Sequence, residues 1–274
     1  MSSEFEKFAT TLYVEVGDVA EEKLRVLFYE PEGEIRDTLV LIPGYGSLPS
    51  AYDKFLLEMK KNYKIYIIET REKYTAKLGK KPDYTENRFA KDIAEVIDFL
   101  KLDDYFLVAS SMGGAIILRA LSMKFIAPRI TYLIGPVLRL EIPSFTWPFV
   151  YLATPPIWRF ILKPIAKFYI KYIYLDRTQK DQIKKYFGYF DNYNMKRIRK
   201  SMITKRKFLV TEEELKAIES KCILIGAEKD KAHAAEITLG IAESIKNSDY
   251  YDLETNVAAH SKPLKELIEE TLDK

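Results

Sequence analysis

The chain has 274 residues, 47% of them hydrophobic and 30% charged, with a net charge of +3, a globular composition long enough for one large domain with an inserted subdomain. Its single cysteine excludes an internal disulfide framework, and with only two histidines beside it no zinc centre or other metal site is expected. No apolar run reaches 18 residues and residues 1–10 lack the apolar core of a signal peptide, so no spanning helix is expected and the cytoplasm is the default location.

Thr10 to Val16 and Lys23 to Tyr29 alternate or run apolar on either side of Gly17-Asp18. They read as an antiparallel hairpin at a sheet edge. Thr38 to Ile42 is a buried strand ending at Pro43-Gly44-Tyr45-Gly46. Pro49 to Lys61 reads as a helix with Ala51, Phe55, Leu56 and Met59 on one face, and Lys64 to Ile68 as the next strand. Thr85 to Leu100 is amphipathic, with Phe89, Ile93, Val96, Ile97 and Leu100 at helical spacing. Tyr105 to Val108 suits a buried parallel strand, and Ala115 to Leu121 is apolar with good helix formers. Arg129 to Ile134 is a strand ending at Gly135-Pro136. Lys221 to Ile225 resumes the sheet, Ala232 to Lys246 is helical, Asp249 to Leu253 is the last strand, and Lys262 to Leu272 closes the chain as a helix. Strands alternating with helices predict an α/β fold, a mostly parallel sheet with helices on both faces.

Between Val108 and Ala115 the chain reads Ala109-Ser110-Ser111-Met112-Gly113-Gly114. Strand, sharp turn and helix arrive within a few residues, with small residues two before and two after a serine. In that context a G-x-S-x-G pattern becomes a nucleophile elbow, which presents the serine hydroxyl above the carboxyl end of the sheet. It also leaves the Met112 N–H at a helix N-terminus, where a developing oxyanion is stabilised. A glycine-rich turn that merely permits tight packing is the plainer alternative. The segment resembles the G-H-S-M-G-G elbow of the α/β-hydrolase superfamily, with Ala109 and Ser110 in place of Gly-His.

The resemblance extends along most of the chain. In that family the strand corresponding to Thr38–Ile42 commonly ends in His-Gly-x, and the N–H of x is the second oxyanion donor. Here Pro43 replaces the histidine and Gly44 is kept, which implies Tyr45 as that donor, with its ring lining the substrate pocket. Of the family's acid-then-Arg-Gly-x-Gly-x-Ser pattern after the next strand, Glu69 and Arg71 remain and read as loop-bracing groups. A serine nucleophile needs a base, and the base an orienting acid. His260 follows the last strand, where the family carries its base; His233 is the alternative. Asp230, four residues past Gly226 at the end of a strand, matches the family's acid, with Glu228 as runner-up. The chain order Ser111, Asp230, His260 is the α/β-hydrolase order.

From Val137 to Thr211 sixteen Lys and Arg stand against four acids, a net of +12 that leaves the rest of the chain at −9. The same stretch holds 16 of the 36 aromatic residues, including both tryptophans. By the resemblance it is a helical cap, residues 137–211, inserted in a hydrolase core formed by 1–136 and 212–274. Trp147, Phe149 and Trp158 are candidates to line an apolar substrate pocket, or to pack the cap on the core. Arg159, Lys163, Lys167 and Lys171 recur every four residues beside an apolar face of Ile157, Phe160, Ile161, Ile165, Phe168, Tyr169 and Tyr172, with Pro164 expected to break or kink the helix. The stripe is either a solvated cationic face, a membrane-surface helix on anionic lipid, or a lure for an anionic substrate; no motif accompanies it that would suggest nucleic acid. The function implied is a cofactor-independent serine hydrolase acting on a hydrophobic carboxylic ester, esterase- or lipase-like, through an acyl-enzyme. A non-catalytic binding or membrane-docking protein of the same fold, and a thioesterase, C–C hydrolase or acyltransferase with the same triad, stay open.

Overall fold

The computed structural model describes residues 3–17, 21–140, 144–175, 177, 180–229 and 235–272. Strands β1 (Thr10–Glu15), β2 (Lys23–Tyr29), β3 (Asp37–Ile42), β4 (Tyr63–Ile68), β5 (Phe106–Ser110), β6 (Ile130–Ile134), β7 (Lys221–Gly226) and β8 (Ser248–Asp252) form one sheet in the order β1-β2-β4-β3-β5-β6-β7-β8. β1 and β2 make the antiparallel edge hairpin, and β2 pairs antiparallel with β4. Every pair from β4 to β8 is parallel.

Helices α1 (Asp53–Met59), α2 (Glu86–Leu100) and α3 (Met112–Ser122) follow β3, β4 and β5. Between β6 and β7 come α4 (Trp147–Leu152), α5 (Pro155–Ile157), α6 (Lys163–Tyr169), α7 (Lys180–Asn192), α8 (Met195–Lys205) and α9 (Glu212–Lys216). α10 (Ala235–Ser244) precedes β8 and α11 (Lys262–Thr271) closes the chain. The helix expected from Pro49 begins as a 3-10 turn, Pro49–Tyr52, and becomes α-helical only at Asp53.

Successive residues of a strand face opposite sides. Leu39, Leu41, Phe106 and Val108 pack with Phe55 and Met59 of α1 and Leu264 and Ile268 of α11. Val40, Ile42, Leu107 and Ala109 pack with Phe89, Ile93, Ile116 and Ile241 on the other face. Covering both faces explains why these strands read as unbroken apolar runs. Each fully buried Leu, Ile, Val or Phe contributes about 1.5–3 kcal/mol. The two layers thereby hold the carboxyl ends of β3, β5, β6 and β7 side by side.

Pro164 does not break its helix. The backbone is helical from 155 to 174, with π-helical turns at Trp158–Leu162 and Ile170–Tyr174 flanking α6. In an α-helix the proline ring would meet the carbonyl four residues back. That carbonyl, on Phe160, lies in the wider π turn, where Lys163 N–H reaches Trp158 O instead. Extra width relieves the clash that a break would otherwise resolve.

The two ends of the inserted segment meet. Val210 N–H donates to Leu138 O at 2.8 Å, and Arg139 bridges Leu209. Lys205, in the last turn of α8, is fully buried with its Nζ 3.2 Å from the centre of the Phe89 ring on α2. Among the described residues it has no hydrogen-bond acceptor. Burial pushes this amine down to about 8, although Glu72, Glu86 and Asp92 pull the other way. The folded value lies below the unfolded one, so the unfolded chain binds more protons in between, and stability rises with pH from about 8 towards the unfolded value. Urea midpoints taken across that range should climb, and Lys205→Met should flatten the climb.

Candidate active site

Strand β5 passes into α3 through Ser111 alone, at φ 54° and ψ −124°. A positive φ is rare outside glycine, and a non-glycine residue held there costs on the order of 1–3 kcal/mol. Ser111 N–H donates to Ile134 O on β6 at 2.9 Å, and Ser111 O accepts from Ala115 N–H at 3.2 Å. The ladder and the helix therefore grip the same residue from both sides. The glycines beyond it allow close approach. A Cβ on Gly113 would lie 2.8 Å from the Ile42 and Pro43 oxygens, and one on Gly114 would lie 3.0 Å from Pro136 Cβ.

The loop after β3 runs against this turn. A Cβ on Gly44 would stand 3.3 Å from Ser110 O and 3.5 Å from Ser111 Cβ. Gly44 N–H donates to the Tyr52 hydroxyl at 2.9 Å, and Gly46 N–H to Glu72 Oε1 at 3.1 Å. These bonds fix the peptides on either side of Tyr45 N–H. Lys73 Nζ reaches both Gly44 O, at 2.9 Å, and Glu72 Oε1, at 3.2 Å, and the Thr70 hydroxyl donates to Glu72 at 2.9 Å. Glu72 and Lys73 are both buried. Burial pushes the Glu72 carboxyl up, but Lys73, Thr70 and the Gly46 N–H outweigh it and hold it below the usual carboxylate range.

Arg71 and Glu69 brace the same region from further out. The buried Arg71 guanidinium bonds Asp92 at 2.6 and 2.7 Å, Glu22 at 3.2 Å and Asp83 O at 2.7 Å. Glu69 takes two bonds from Arg25, at 2.9 and 2.8 Å. Glu72 and Lys73 were not singled out from the sequence, although they continue the same acid–base run.

His260 sits in the short turn Ala258–His260 between β8 and α11 and is buried. Its ring centre lies 5.3 Å from that of Tyr52, the residue that also holds Gly44. Nδ1 lies 2.8 Å from Asn256 O. A carbonyl only accepts, so Nδ1 carries the proton, and in the neutral ring Nε2 presents its lone pair. Nε2 lies 3.2 Å from Ser110 Oγ. Ser110, one residue before the elbow serine, thus places a hydroxyl within hydrogen-bond distance of this imidazole. Sequence reasoning treated Ser110 only as a departure from the family pattern. A crevice of about 10 Å³, lined by Ser110, Gly135, Ala227, Asn256 and His260, adjoins this pair; it has room for about one water.

Ser110 and Tyr52 therefore link His260 to the Ser111 turn and to the Gly44 loop. Asp230 and His233 lie outside the described residues. Glu228 is exposed, its N–H bonded to Asp252 at 3.2 Å. The Tyr45 ring turns to the inserted segment, where its hydroxyl donates to Ile198 O at 3.1 Å. Trp158 joins it in a cluster with Ala153, Met195 and Ile198. Tyr193 lies so close over Gly46 that a Cβ there would stand 2.8 Å from its ring. Trp147 is placed elsewhere, near Tyr151 and 5.0 Å from the Arg206 guanidinium, and Phe149 is 53% exposed. Their described surroundings do not include the serine–histidine cluster. Among the described residues no three His, Cys, Asp or Glu side chains converge on a site for a metal ion.

A sequence model described as the alpha/beta hydrolase family matches residues 39–260. The chain belongs to the alpha/beta hydrolase family. No curated protein matches it in sequence. This family member is similar in structure to a hydrolase from Pseudomonas aeruginosa, with 15% identity, 95% of this chain and 97% of the other covered, and a TM-score of 0.76. It is similar to a thermophilic esterase from Thermogutta terrifontis, at 14% identity over 96% and 98% of the two chains with a TM-score of 0.76. An enol-lactonase from Burkholderia xenovorans matches at 15% identity over 96% and 98%, with a TM-score of 0.74. At such identities these likenesses show the fold.

Glu72→Gln keeps an acceptor for Gly46 N–H but strands the buried Lys73 charge. The expected loss is about 3–5 kcal/mol in urea unfolding, since breaking a buried pair leaves one charge uncompensated. The folded carboxyl titrates below its unfolded value, so its contribution is complete above the unfolded range and is lost as pH falls through the folded value. The variant should lack that portion of the wild type's acid lability.

Proposed function

We propose that this family member is a serine hydrolase that cleaves a hydrophobic carboxylic ester through an acyl-enzyme. The observation that carries the reading is Ser111, held at positive φ between strand and helix with Gly44 against its Cβ. A serine is strained in that way where its hydroxyl must stand clear of the sheet. In this reading Ser111 Oγ attacks the ester carbonyl carbon while His260 Nε2 takes its proton. The N–H groups of Tyr45 and Met112 receive the oxyanion. Collapse breaks the C–O bond, and the imidazolium protonates the departing alcohol. Water, deprotonated by His260, then attacks the acyl carbon and releases the acid and free Ser111. Asp230 orients the imidazole. The Nδ1–H donated to Asn256 O supports the tautomer this requires.

Residues 137–211 act as the cap in this reading. Tyr45, Trp158 and Tyr193 bring an apolar, aromatic roof over the oxyanion loop, which favours a hydrophobic acyl or alcohol group. Trp147 and Phe149 are left out of the pocket.

The contact between His260 and Ser110 favours a second reading, in which the Ser110 hydroxyl occupies the imidazole and the fold serves only to bind. Labelling with a fluorophosphonate and peptide mapping separates the two. Wild type and Ser110→Ala should carry the label on Ser111, and hydrolysis of a medium-chain nitrophenyl ester should fall about a thousandfold or more in Ser111→Ala and His260→Ala. Folded wild type that takes no label would sink the hydrolase reading. A label on Ser110 would move the nucleophile by one residue.

A further inference from the structure

The helix from 155 to 174 has one face packed and one bare. Inward, Ile170 is buried, Trp158 lies edge-on to Phe190 at 5.7 Å, and Leu162 joins the cluster that holds Tyr45. Outward stand Phe160 (72% exposed), Ile161, Ile165, Phe168 and Ile173 (65%). Ile161, Ile165 and Phe168 are spaced four and three apart and so share one side of the helix, with Phe160 and Ile173 exposed on either flank. Such a contiguous row of large apolar side chains is not what a surface facing only water carries.

Cations flank the row. Arg159 lies 5.3 Å from the Phe160 ring centre, while Lys171 and Arg177 lie 5.0 and 4.8 Å from that of Tyr172. Among the described residues these three carry no ion pair, whereas Lys163 and Lys167 are both held by Asp191. Half of the basic stripe expected from the sequence is therefore tied to Asp191 on α7, and the other half borders the apolar row.

We propose that this face docks the protein on an anionic lipid bilayer, with the apolar row among the acyl chains at the headgroup boundary and Arg159, Lys171 and Arg177 among the lipid phosphates. That division is the one an interfacial helix makes, and each cation near an anionic surface adds to the attraction. Charge selects the occupant. Residues 137–211 carry +12 and the rest of the chain −9, so an anionic surface attracts this face and turns the remainder away. A second copy seated on the same face would set +12 against +12. Among the described residues no helix is long and apolar enough to cross a membrane, so the contact is peripheral. Docking stands apart from the hydrolase reading. If that reading also holds, the bare face lies one helix diameter, about 10 Å, from the cluster around Tyr45, and an ester of lipid origin enters from the docked side.

The test is sedimentation of the purified chain with sucrose-loaded vesicles, either phosphatidylcholine alone or with about one-third phosphatidylglycerol, a typical anionic surface. The protein should pellet with the anionic vesicles only, and molar salt should release most of it. Phe160→Ser combined with Ile165→Ser and Phe168→Ser should weaken binding about tenfold or more, with the thermal unfolding curve unchanged because all three side chains are exposed. Arg159→Glu with Lys171→Glu should do the same. A wild type left in the supernatant overturns the proposal, as does a triple serine variant that pellets like wild type. So does a wild-type dimer in ultracentrifugation that the serine variant dissolves while no vesicle binding is seen. Fluorophosphonate labelling of the serine variant reports the catalytic reading separately.

Discussion

One residue has to turn a strand into a helix, and the geometry of the whole candidate site descends from that. Ser111 makes the turn with a left-handed φ because the Ile134 carbonyl holds its amide in the sheet while Ala115 already draws its carbonyl into α3. Relaxing it would mean shifting β5 along the sheet or α3 across it. Both are prevented by the backbone of Ile42 and Pro43 packed onto Gly113 and by Pro136 packed onto Gly114. The strain is carried by the two hydrophobic layers, whose burial far exceeds it.

The second ingredient is a loop that must stay put beside the serine although it has little apolar substance of its own. Pro43-Gly44-Tyr45-Gly46 is fixed by charge. Glu72 and Lys73 hold it from below by bonds to Gly46 N–H and Gly44 O. Arg71, paired with Asp92 and Glu22, locks the neighbouring chain to α2 and to the approach to β2. Buried ion pairs of this kind add little net stability over an apolar core but penalise any arrangement that separates them. In the proposed reading the loop amides must point in fixed directions, and there that selectivity is the useful property.

Much of this was legible in the sequence, for physical reasons. Strands covered on both faces are apolar runs, and the runs at Thr38–Ile42, Tyr105–Val108 and Lys221–Ile225 fall on β3, β5 and β7. The small residues around Ser111 marked the turn because no others fit there. Pro164 does not break the helix because a π turn absorbs a proline that an α-helix cannot. Glu72 and Lys73 escaped notice because adjacent opposite charges usually sit in solvent, and only tertiary burial gives them their role. Ser110 escaped because its partner is 150 residues away. The aromatics of residues 137–211 were legible only as a set: Trp158 shares a cluster with Tyr45, and Trp147 and Phe149 lie elsewhere, a difference decided by packing within the segment.

The narrow neck where Leu138 and Val210 meet bears on how such a chain diversifies. With entry and exit pinned together, and Tyr193, Ile198 and Lys205 packed on the core, the outer helices between them bear little on the sheet. Lengthening the segment adds closure entropy that grows only logarithmically, about 0.6 kcal/mol for each doubling. The exposed part of the segment is then free to drift in length, charge and surface while the strained serine stays where it is. The neck makes the segment an exchangeable part, and a lineage keeping this core can try new surfaces without refolding its chemistry.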